Sequence, residues 1–260
     1  MQRSPLIFVS DWFRSPDDEW HHQLNHFQAQ YECLPWSLPG HAGATETPRS
    51  GQPVFDQAIA ALTTSLVTRE RPVHLVGHGL GALVALRAAS HCMDRVRSLV
   101  LISPVERPIR GRWLMRLAAR ASWFVPLYLF LFDPLVEGLP AFVRLIRRSR
   151  ALKRSDAALY FRSVLALSPY RPPFGPGIPV YVITGDRNPL GSTSVAESWN
   201  ECLERSQLIR YAHLGHDPHR EEPELVNRAL GEFFYAIDRE SESSFARMRA
   251  WLKNLIGRRP

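Results

Sequence analysis

The chain has 260 residues, of which 45% are hydrophobic, and its formal net charge is +7. This length and composition suit one sizeable globular domain. The three cysteines lie far apart, are odd in number and lack metal-ligand spacing, which favours free thiols in a reducing compartment. The apolar run at residues 6–9 is too short for the core of a signal peptide, so we expect a mature start and a cytoplasmic protein.

Strands and helices alternate along most of the sequence. Short β-rich apolar runs predict strands at residues 6–9, 31–38, 73–76, 96–102, 179–184 and 207–212. Helical patterns cover residues 54–67, 80–90 and 223–237, and a further helix, begun by Ser15 with proline and acids in its first turn, should run through about Phe27. This alternation predicts an α/β fold with a mostly parallel sheet flanked by helices on both faces.

The alternation breaks once, at residues 104–172, which contain several helical pieces and no convincing strand. Residues 121–143 have the length of a membrane span, but two acids and three prolines interrupt them, so an inserted helical lid is the better interpretation. The predicted organisation is a core at 1–103 and 173–238, a lid at 104–172 and a basic amphipathic tail at 239–260.

The motif most relevant to chemistry is Gly77-His78-Gly79-Leu80-Gly81, which lies between a predicted buried strand and a small-residue helix. Such a turn exposes the residue at its tip, and its outer glycines let strand and helix approach each other. Taken alone, the turn could equally cradle a phosphate at the helix N-terminus.

Other segments in the same order resemble the α/β-hydrolase superfamily, especially its small lidded esterase-like members. Residues 6–12 resemble its first oxyanion loop, 38–43 its small-residue loop, 181–190 its acid loop and 212–223 its histidine loop. The resemblance implies an α/β-hydrolase fold over essentially the whole chain. It places Gly79 at the nucleophile position, Asn188 at the acid position and His216 at the catalytic histidine.

The same resemblance implies a degenerate catalytic triad. Gly79 has no side chain, Asn188 cannot hold histidine as a carboxylate would, and Ser10-Asp11 replaces the usual His-Gly. Candidate replacements are Asp186 or Glu106 as a shifted acid, and Ser10, ahead of Ser103 and Cys92, as a relocated nucleophile. For each of these, an ordinary loop or core role is the competing interpretation.

Beneath the lid we expect an apolar pocket beside His216. Its candidate ligand-binding residues are Ser10, Asp11, Trp12, His78, Leu80, Trp123, Phe124 and Leu127. His78 is also a candidate for a structural role beneath the elbow. His22 and His26 lie one helical turn apart but lack a third ligand, so we expect a solvated surface there, and His213 and His219 are expected to be loop residues. We expect no metal and no cofactor.

The positive charge is concentrated in two segments. Residues 107–154 carry a net charge of +9 and residues 239–260 carry +4, which leaves −6 for the remainder. Basic amphipathic helices with tryptophan are typical of anionic membrane surfaces, and an acidic protein or the chain's own body are the alternatives. Nucleic acid is disfavoured because no binding module is recognisable.

Three functions remain open. The first is a pseudoenzyme that binds an apolar or acyl-type ligand or a partner, with a peripheral location at the inner face of a membrane. The second is an enzyme in which His216 acts as a lone acid or base in lyase, isomerase or cyclase chemistry. The third is an esterase or thioesterase with a relocated nucleophile.

Overall fold

The computed structural model describes residues 3–49, 51–105, 112–121, 124, 127, 154–167, 170, 177–188, 190 and 192–239. Its six strands are β1 Ser4–Val9, β2 Tyr31–Trp36, β3 Val73–His78, β4 Val96–Ile102, β5 Val180–Gly185 and β6 Ser206–Tyr211. They form one parallel sheet in the order β2-β1-β3-β4-β5-β6. The predicted parallel α/β sheet is therefore confirmed.

Helices cover both faces of this sheet. They are α1 Pro16–Glu19, α2 His21–Phe27, α3 Val54–Val67, α4 Gly79–His91, α5 Arg112–Arg120, α6 Arg154–Ala166, α7 Ser192–Cys202, α8 Pro218–Glu221 and α9 Pro223–Asp238, with a 3₁₀ turn at Met93–Arg95. Alternate residues of β1 serve opposite layers: Ile7 and Val9 pack in the cluster with α3 and α4, whereas Leu6 and Phe8 pack in the cluster with α9.

The helix predicted at residues 15–27 is divided in two. Its break falls at Trp20, whose φ of −100° and ψ of 12° are not helical, and the Ser15 side chain makes no capping hydrogen bond. Trp20 and Glu19 are both fully buried. Glu19 binds interior groups, described below, and so does not act as a solvent-exposed acid in a helix's first turn.

The proposed lid falls partly on described residues. Helices α5 and α6 pack together, and Nε of Arg162 donates to the Ala119 carbonyl at 2.8 Å. Both helices agree with a helical insertion, whereas its role as a lid remains a prediction. The tail beyond Arg239 lies outside the described residues. Among the described helices, none is both long and apolar enough to cross a membrane.

The strand order locates the site. The chain passes from β1 outward to β2 and then returns to the other side of β1 as β3, so the direction of winding reverses between β1 and β3. Open parallel sheets bind ligands beyond the carboxyl ends of the strands at such a reversal. The residues that follow these two strands are Ser10-Asp11 and Gly79-Leu80.

Candidate active site

The elbow between β3 and α4 has the backbone expected of a nucleophile turn. Gly79 has a φ of +54°, in the left-handed region that residues other than glycine adopt only at a cost in free energy. A Cβ on Gly77 would lie 2.7 Å from the Ala82 Cα, and one on Gly81 would lie 2.8 Å from the Val9 carbonyl oxygen. The outer glycines therefore permit the close approach of strand, helix and oxyanion loop.

The Asp11 carboxylate occupies the space in front of Gly79. Asp11 follows β1 and is 5% exposed. Its Oδ1 accepts hydrogen bonds from the backbone N–H groups of Leu80 and of Trp12, both at 2.8 Å. In a hydrolase elbow, the N–H after the nucleophile and an N–H from the oxyanion loop stabilise the substrate's developing oxyanion. In this chain both donors already hold an internal carboxylate.

Glycine at position 79 and aspartate at position 11 are sterically linked. A Cβ built on Gly79 would lie 2.5 Å from Oδ1 of Asp11, and it would lie still closer to Oδ2 and Cγ. Contacts this short do not occur between real side chains, so any residue larger than glycine would displace the carboxylate. Gly79 is therefore required by the conformation of Asp11 as well as by its own φ.

The loop that carries Asp11 is held by its own contacts. Phe13 has a φ of +57°, and its backbone N–H donates to Nε2 of the buried His41 at 2.9 Å. The Asp11 N–H donates to Oε2 of Glu19 at 3.0 Å. These two bonds fix the backbone on either side of Trp12, so the carboxylate is positioned by the loop and not only by the elbow.

His216 contacts Asp11 on one side and Asn188 on the other. Its Nε2 is 3.2 Å from Oδ2 of Asp11, and its Nδ1 is 2.9 Å from Nδ2 of Asn188. The Asn188 Oδ1 accepts the Leu190 N–H at 2.9 Å, which orients the amide so that Nδ2 donates to His216. This network assigns the proton of the neutral imidazole to Nε2, which donates to Asp11.

That tautomer is the reverse of the one that serine hydrolysis uses. A triad acid accepts the proton on Nδ1 and leaves the Nε2 lone pair free to take the proton of the nucleophile. Asn188 donates to Nδ1 instead, and Nε2 is directed at a carboxylate. His216 is therefore arranged as a hydrogen-bond donor to Asp11.

The other proposed replacements lie elsewhere or make no contact with His216. The Asp186 carboxylate pairs with Nε of Arg210 at 2.9 Å, so it does not act as a shifted acid in this conformation. The hydroxyls of Ser10 and Ser103 are buried and lack a hydrogen-bond partner among the described residues. Cys92 lies at the far end of α4, where its Sγ donates to the Ala88 carbonyl.

Of the lid residues predicted to line a pocket, Phe124 is half-buried and Leu127 is 43% exposed. Trp123 and the alternative acid Glu106 lie outside the described residues. Leu80 is 3% exposed, and Trp12 packs its ring against Phe13 and Phe161 at centroid distances of 4.8 and 5.3 Å. An apolar wall thus borders the polar centre.

A second buried polar group lies beneath the elbow. Nδ1 of His78 is 2.6 Å from Oε1 of Glu19, and its Nε2 donates to the His216 carbonyl oxygen at 3.0 Å. Nη2 of Arg14 binds Oδ2 of Asp217 at 2.7 Å. Both nitrogens of His78 are thus bonded to protein groups, which supports the structural role weighed for it above over a role in ligand binding.

The charges of these groups stabilise one another. Burial alone would lower the pKa of His78, but the hydrogen bond and charge of Glu19 and the charge of Asp217 raise it above its usual value. Burial would raise the pKa of Asp11, whereas its hydrogen bond to His216 and the charges of His78 and His216 lower it overall. An Asp11 carboxylate above a His78 imidazolium is the resulting state.

His219 was expected in a loop, but it lies in α8 and is completely buried. Its ring packs 4.5 Å from that of Trp20, and neither ring nitrogen has a hydrogen-bond partner among the described residues. Burial and the charge of His78 lower its pKa well below the usual value, so the ring is neutral. The charged residues that follow His219 in the sequence, Arg220, Glu221 and Glu222, gave no sign that it would be buried.

Within the described part of the chain, two sets of donor atoms lie close enough together to be considered for a cation. They are Asp11, His78 and His216, and Glu19, His78 and His219, each with donor atoms within 4.8 Å of one another. Both sets require His78, whose nitrogens are engaged with Glu19 and the His216 carbonyl. A cation would have to displace a proton from a ring nitrogen of His78, so the geometry favours a protonated His78 over a bound cation.

The burial of Glu19 could have been found from the sequence. Glu19 and Gln23 stand one turn apart and share a helical face with Trp20 and Phe27, which are apolar. Gln23 is also fully buried, and its Nε2 donates to the His219 carbonyl at 2.8 Å. Periodicity thus marked both polar residues as inward-facing, although it could not name their partners.

The parallel sheet, the strained elbow and the histidine loop together define an α/β-hydrolase fold. The chain belongs to the alpha/beta hydrolase family, whose model matches residues 6–229. A comparison with curated proteins yields no match.

Several solved structures share the fold at low sequence identity. MenH from S. aureus is 15% identical with a TM-score of 0.73, and the match covers 92% of this chain and 96% of that one. A hydrolase from Oleispira antarctica is 14% identical with a TM-score of 0.75, covering 92% and 93%. An esterase from Exiguobacterium antarcticum is 14% identical with a TM-score of 0.74, covering 90% and 92%.

Proposed function

We propose that this α/β-hydrolase-fold protein has lost serine-hydrolase activity and binds an apolar or acyl-type ligand. The observation that carries the first part is the position of the Asp11 carboxylate. It fills the space in front of Gly79 and takes both backbone donors that would stabilise a substrate oxyanion. An ester carbonyl would have to displace a charged, fully hydrogen-bonded group in order to enter.

The histidine supports the same proposal. Serine hydrolysis needs a hydroxyl, a base and a group that orients the base. Position 79 offers no hydroxyl, and the Nε2 proton of His216 is donated to Asp11. Two of these requirements, the hydroxyl and the free base, therefore fail at one place, even though the backbone of the elbow is retained.

The apolar wall supports the ligand part of the proposal. Trp12, Phe13 and Phe161 form a ring cluster, with 5.6 Å between the centroids of Phe13 and Phe161. The structural neighbours include one protein described as an esterase and one described as a hydrolase. An acyl chain lying on this wall, in a cytoplasmic protein that meets an anionic membrane or an acidic partner, is the function we favour.

Loss of hydrolysis is tested with simple p-nitrophenyl esters and a fluorophosphonate probe. We expect no probe labelling and no turnover above that of the His216→Ala variant. A matched gain-of-function variant combines Asp11→Gly, Gly79→Ser and Asn188→Asp, which together free the oxyanion donors and restore the missing groups. Labelling of the unmodified chain, or ester turnover that His216→Ala abolishes, would show that the proposal is wrong.

Ligand binding is tested by calorimetry of the delipidated chain with dodecanoic acid and dodecanol. Trp12→Ser should weaken binding at least several-fold, because its ring forms part of the apolar wall. Tyr235→Ser, at a 56%-exposed aromatic residue of α9, serves as the control. Equal losses in both variants, or no binding of either compound, would refute the ligand assignment.

A second candidate function has one observation in its favour. The Asp11–His216 pair is buried, and 3.2 Å separates Oδ2 from Nε2, so the pair contains an acid and a base that could exchange one proton. A His216-dependent lyase, isomerase or cyclase that forms no covalent intermediate would use such a pair. A ligand that is converted by the unmodified chain and left intact by His216→Ala would establish this alternative.

A further inference from the structure

Helix α5 has two distinct faces. Leu114, Met115, Ala118 and Ala119 are buried against the body, whereas Trp113 is 61% exposed, the largest value among the large apolar residues described as exposed. Arg116 and Arg120 are also exposed, one and two turns beyond Trp113. The apolar side of this helix is therefore already used, and its solvent side presents arginine together with tryptophan.

The charge on this face is uncompensated along the helix. Residues 112–120 contain three arginines and no acid. The helix lies within the 107–154 segment of net charge +9, while the chain outside the two basic segments carries −6. Positive charge is thus concentrated in particular segments of the sequence, and a basic surface of this kind attracts negatively charged partners.

The helix is fixed in orientation by contacts on its inner side. Nε of Arg162 donates to the Ala119 carbonyl at 2.8 Å, and Nη2 of Arg112 donates to the Leu165 carbonyl at 3.4 Å. Both bonds join α5 to α6. Because the inner face is held in this way, Trp113, Arg116 and Arg120 project as one pre-formed surface.

We propose that the outer face of α5, formed by Trp113, Arg116 and Arg120, docks onto an anionic lipid bilayer. Arginine supplies attraction to the lipid headgroups, and tryptophan is the side chain best suited to the boundary between headgroups and acyl chains. An acidic protein would explain the arginines, but it would not require exposed apolar side chains among them.

This inference extends the proposed function, since a bilayer would present an acyl ligand beside the site, but the two can fail separately. Docking depends on α5 alone, whereas loss of hydrolysis depends on Asp11 and Gly79. A chain that binds vesicles and also hydrolyses esters would refute only the proposed function. A chain that binds dodecanoic acid and ignores vesicles would refute only the docking surface.

The test is co-flotation of the full chain with vesicles of phosphatidylcholine alone and with a minor fraction of phosphatidylglycerol. We expect binding only to the anionic vesicles, weakened by salt. Each arginine near a charged bilayer contributes about 1 kcal/mol, so Arg116→Gln with Arg120→Gln should weaken binding about thirty-fold, and Arg116→Glu with Arg120→Glu should weaken it further. Trp113→Ser should abolish quenching of tryptophan fluorescence by brominated lipid at this face.

The matched control is Arg49→Glu with Arg228→Glu, which changes the net charge as much as Arg116→Glu with Arg120→Glu does, through exposed arginines outside α5. Selective loss in the α5 variants, with circular dichroism unchanged, supports the proposal. If vesicle binding weakens equally in the control and in the α5 variants, the effect is due to net charge alone and the proposed docking surface is wrong. Unaltered binding of the α5 variants, or no vesicle binding at all, would also overturn it, the last result favouring an acidic protein.

Discussion

Replacing Gly79 by alanine tests the steric link between the elbow and Asp11. The new Cβ would lie 2.5 Å from Oδ1 of Asp11, so the carboxylate would have to leave its two N–H donors. Loss of two hydrogen bonds to a charged group costs about 3–6 kcal/mol. The φ of +54° adds about 1–2 kcal/mol for a residue with a side chain. We therefore expect a destabilisation of about 4–8 kcal/mol, a large part of a typical domain's stability.

A double-mutant cycle separates the two contributions. Asp11→Gly alone should cost about 2–6 kcal/mol, because it leaves the buried Leu80 N–H and the part-buried Trp12 N–H without an acceptor. In that background Gly79→Ala should cost only the backbone strain of about 1–2 kcal/mol. The coupling energy between the two positions should therefore be about 3–6 kcal/mol, far above the value for independent sites.

The free energy of unfolding is measured by urea denaturation, with tryptophan fluorescence as the signal. Gly51→Ala is the control for strain, because Gly51 has a φ of +94° and nothing lies within 4 Å of its added Cβ. If Gly79→Ala destabilises the chain no more than Gly51→Ala does, or if the effects of Gly79→Ala and Asp11→Gly simply add, then Asp11 does not occupy the elbow in solution.

Further predictions concern pH and the proton on His216. Burial lowers the pKa of His41 to about 4, so only the unfolded state takes up this proton as the pH falls from 6.5 toward 4. The free energy of unfolding should therefore decrease by up to about 3 kcal/mol over this range. His41→Gln should remove this part of the pH-dependent change in the urea midpoint. Burial would raise the pKa of Asp238, but hydrogen bonds from its partners hold it at about 2; its contribution is present above pH 4 and lost as the pH falls toward 2. Asp238→Asn should cost about 2 kcal/mol at neutral pH in urea unfolding, whereas the same change at the 77%-exposed Asp94 should have almost no effect. Asn188→Asp should move a proton to Nδ1 of His216, detected by nitrogen NMR of the imidazole; an unchanged Nε2–H signal would contradict the assigned network.

The sheet could be predicted almost completely because each strand is a short apolar run. Strands β3, β4 and β5 are buried along almost their whole length and are therefore mainly apolar, so their limits in the sequence differ by no more than two residues from those observed. Helix α3 agrees at both ends, Val54 and Val67. Local pattern suffices for these elements because burial determines both the residue type and the element.

The site was less accessible to the same reasoning. The sequence showed glycine at position 79 and aspartate at position 11 as two separate departures from the hydrolase pattern, whereas the structure shows that the position of the Asp11 carboxylate requires glycine at position 79. The two positions are 68 residues apart, and neither carries a pattern that refers to the other. Complementarity between two loops depends on the distance between strand ends, which periodicity does not report.

The hydrogen bonds from Leu80 and Trp12 to Asp11 make the stability of the fold depend on the residues of this elbow. An enzyme keeps such oxyanion donors unsatisfied in its resting state, and this reduces its stability in exchange for rate. Here Asp11 accepts hydrogen bonds from the N–H groups of both Leu80 and Trp12. Substitutions at the elbow should therefore be observed first as loss of folded protein, as is usual for a core position, and this dependence would preserve the elbow sequence without any catalytic requirement.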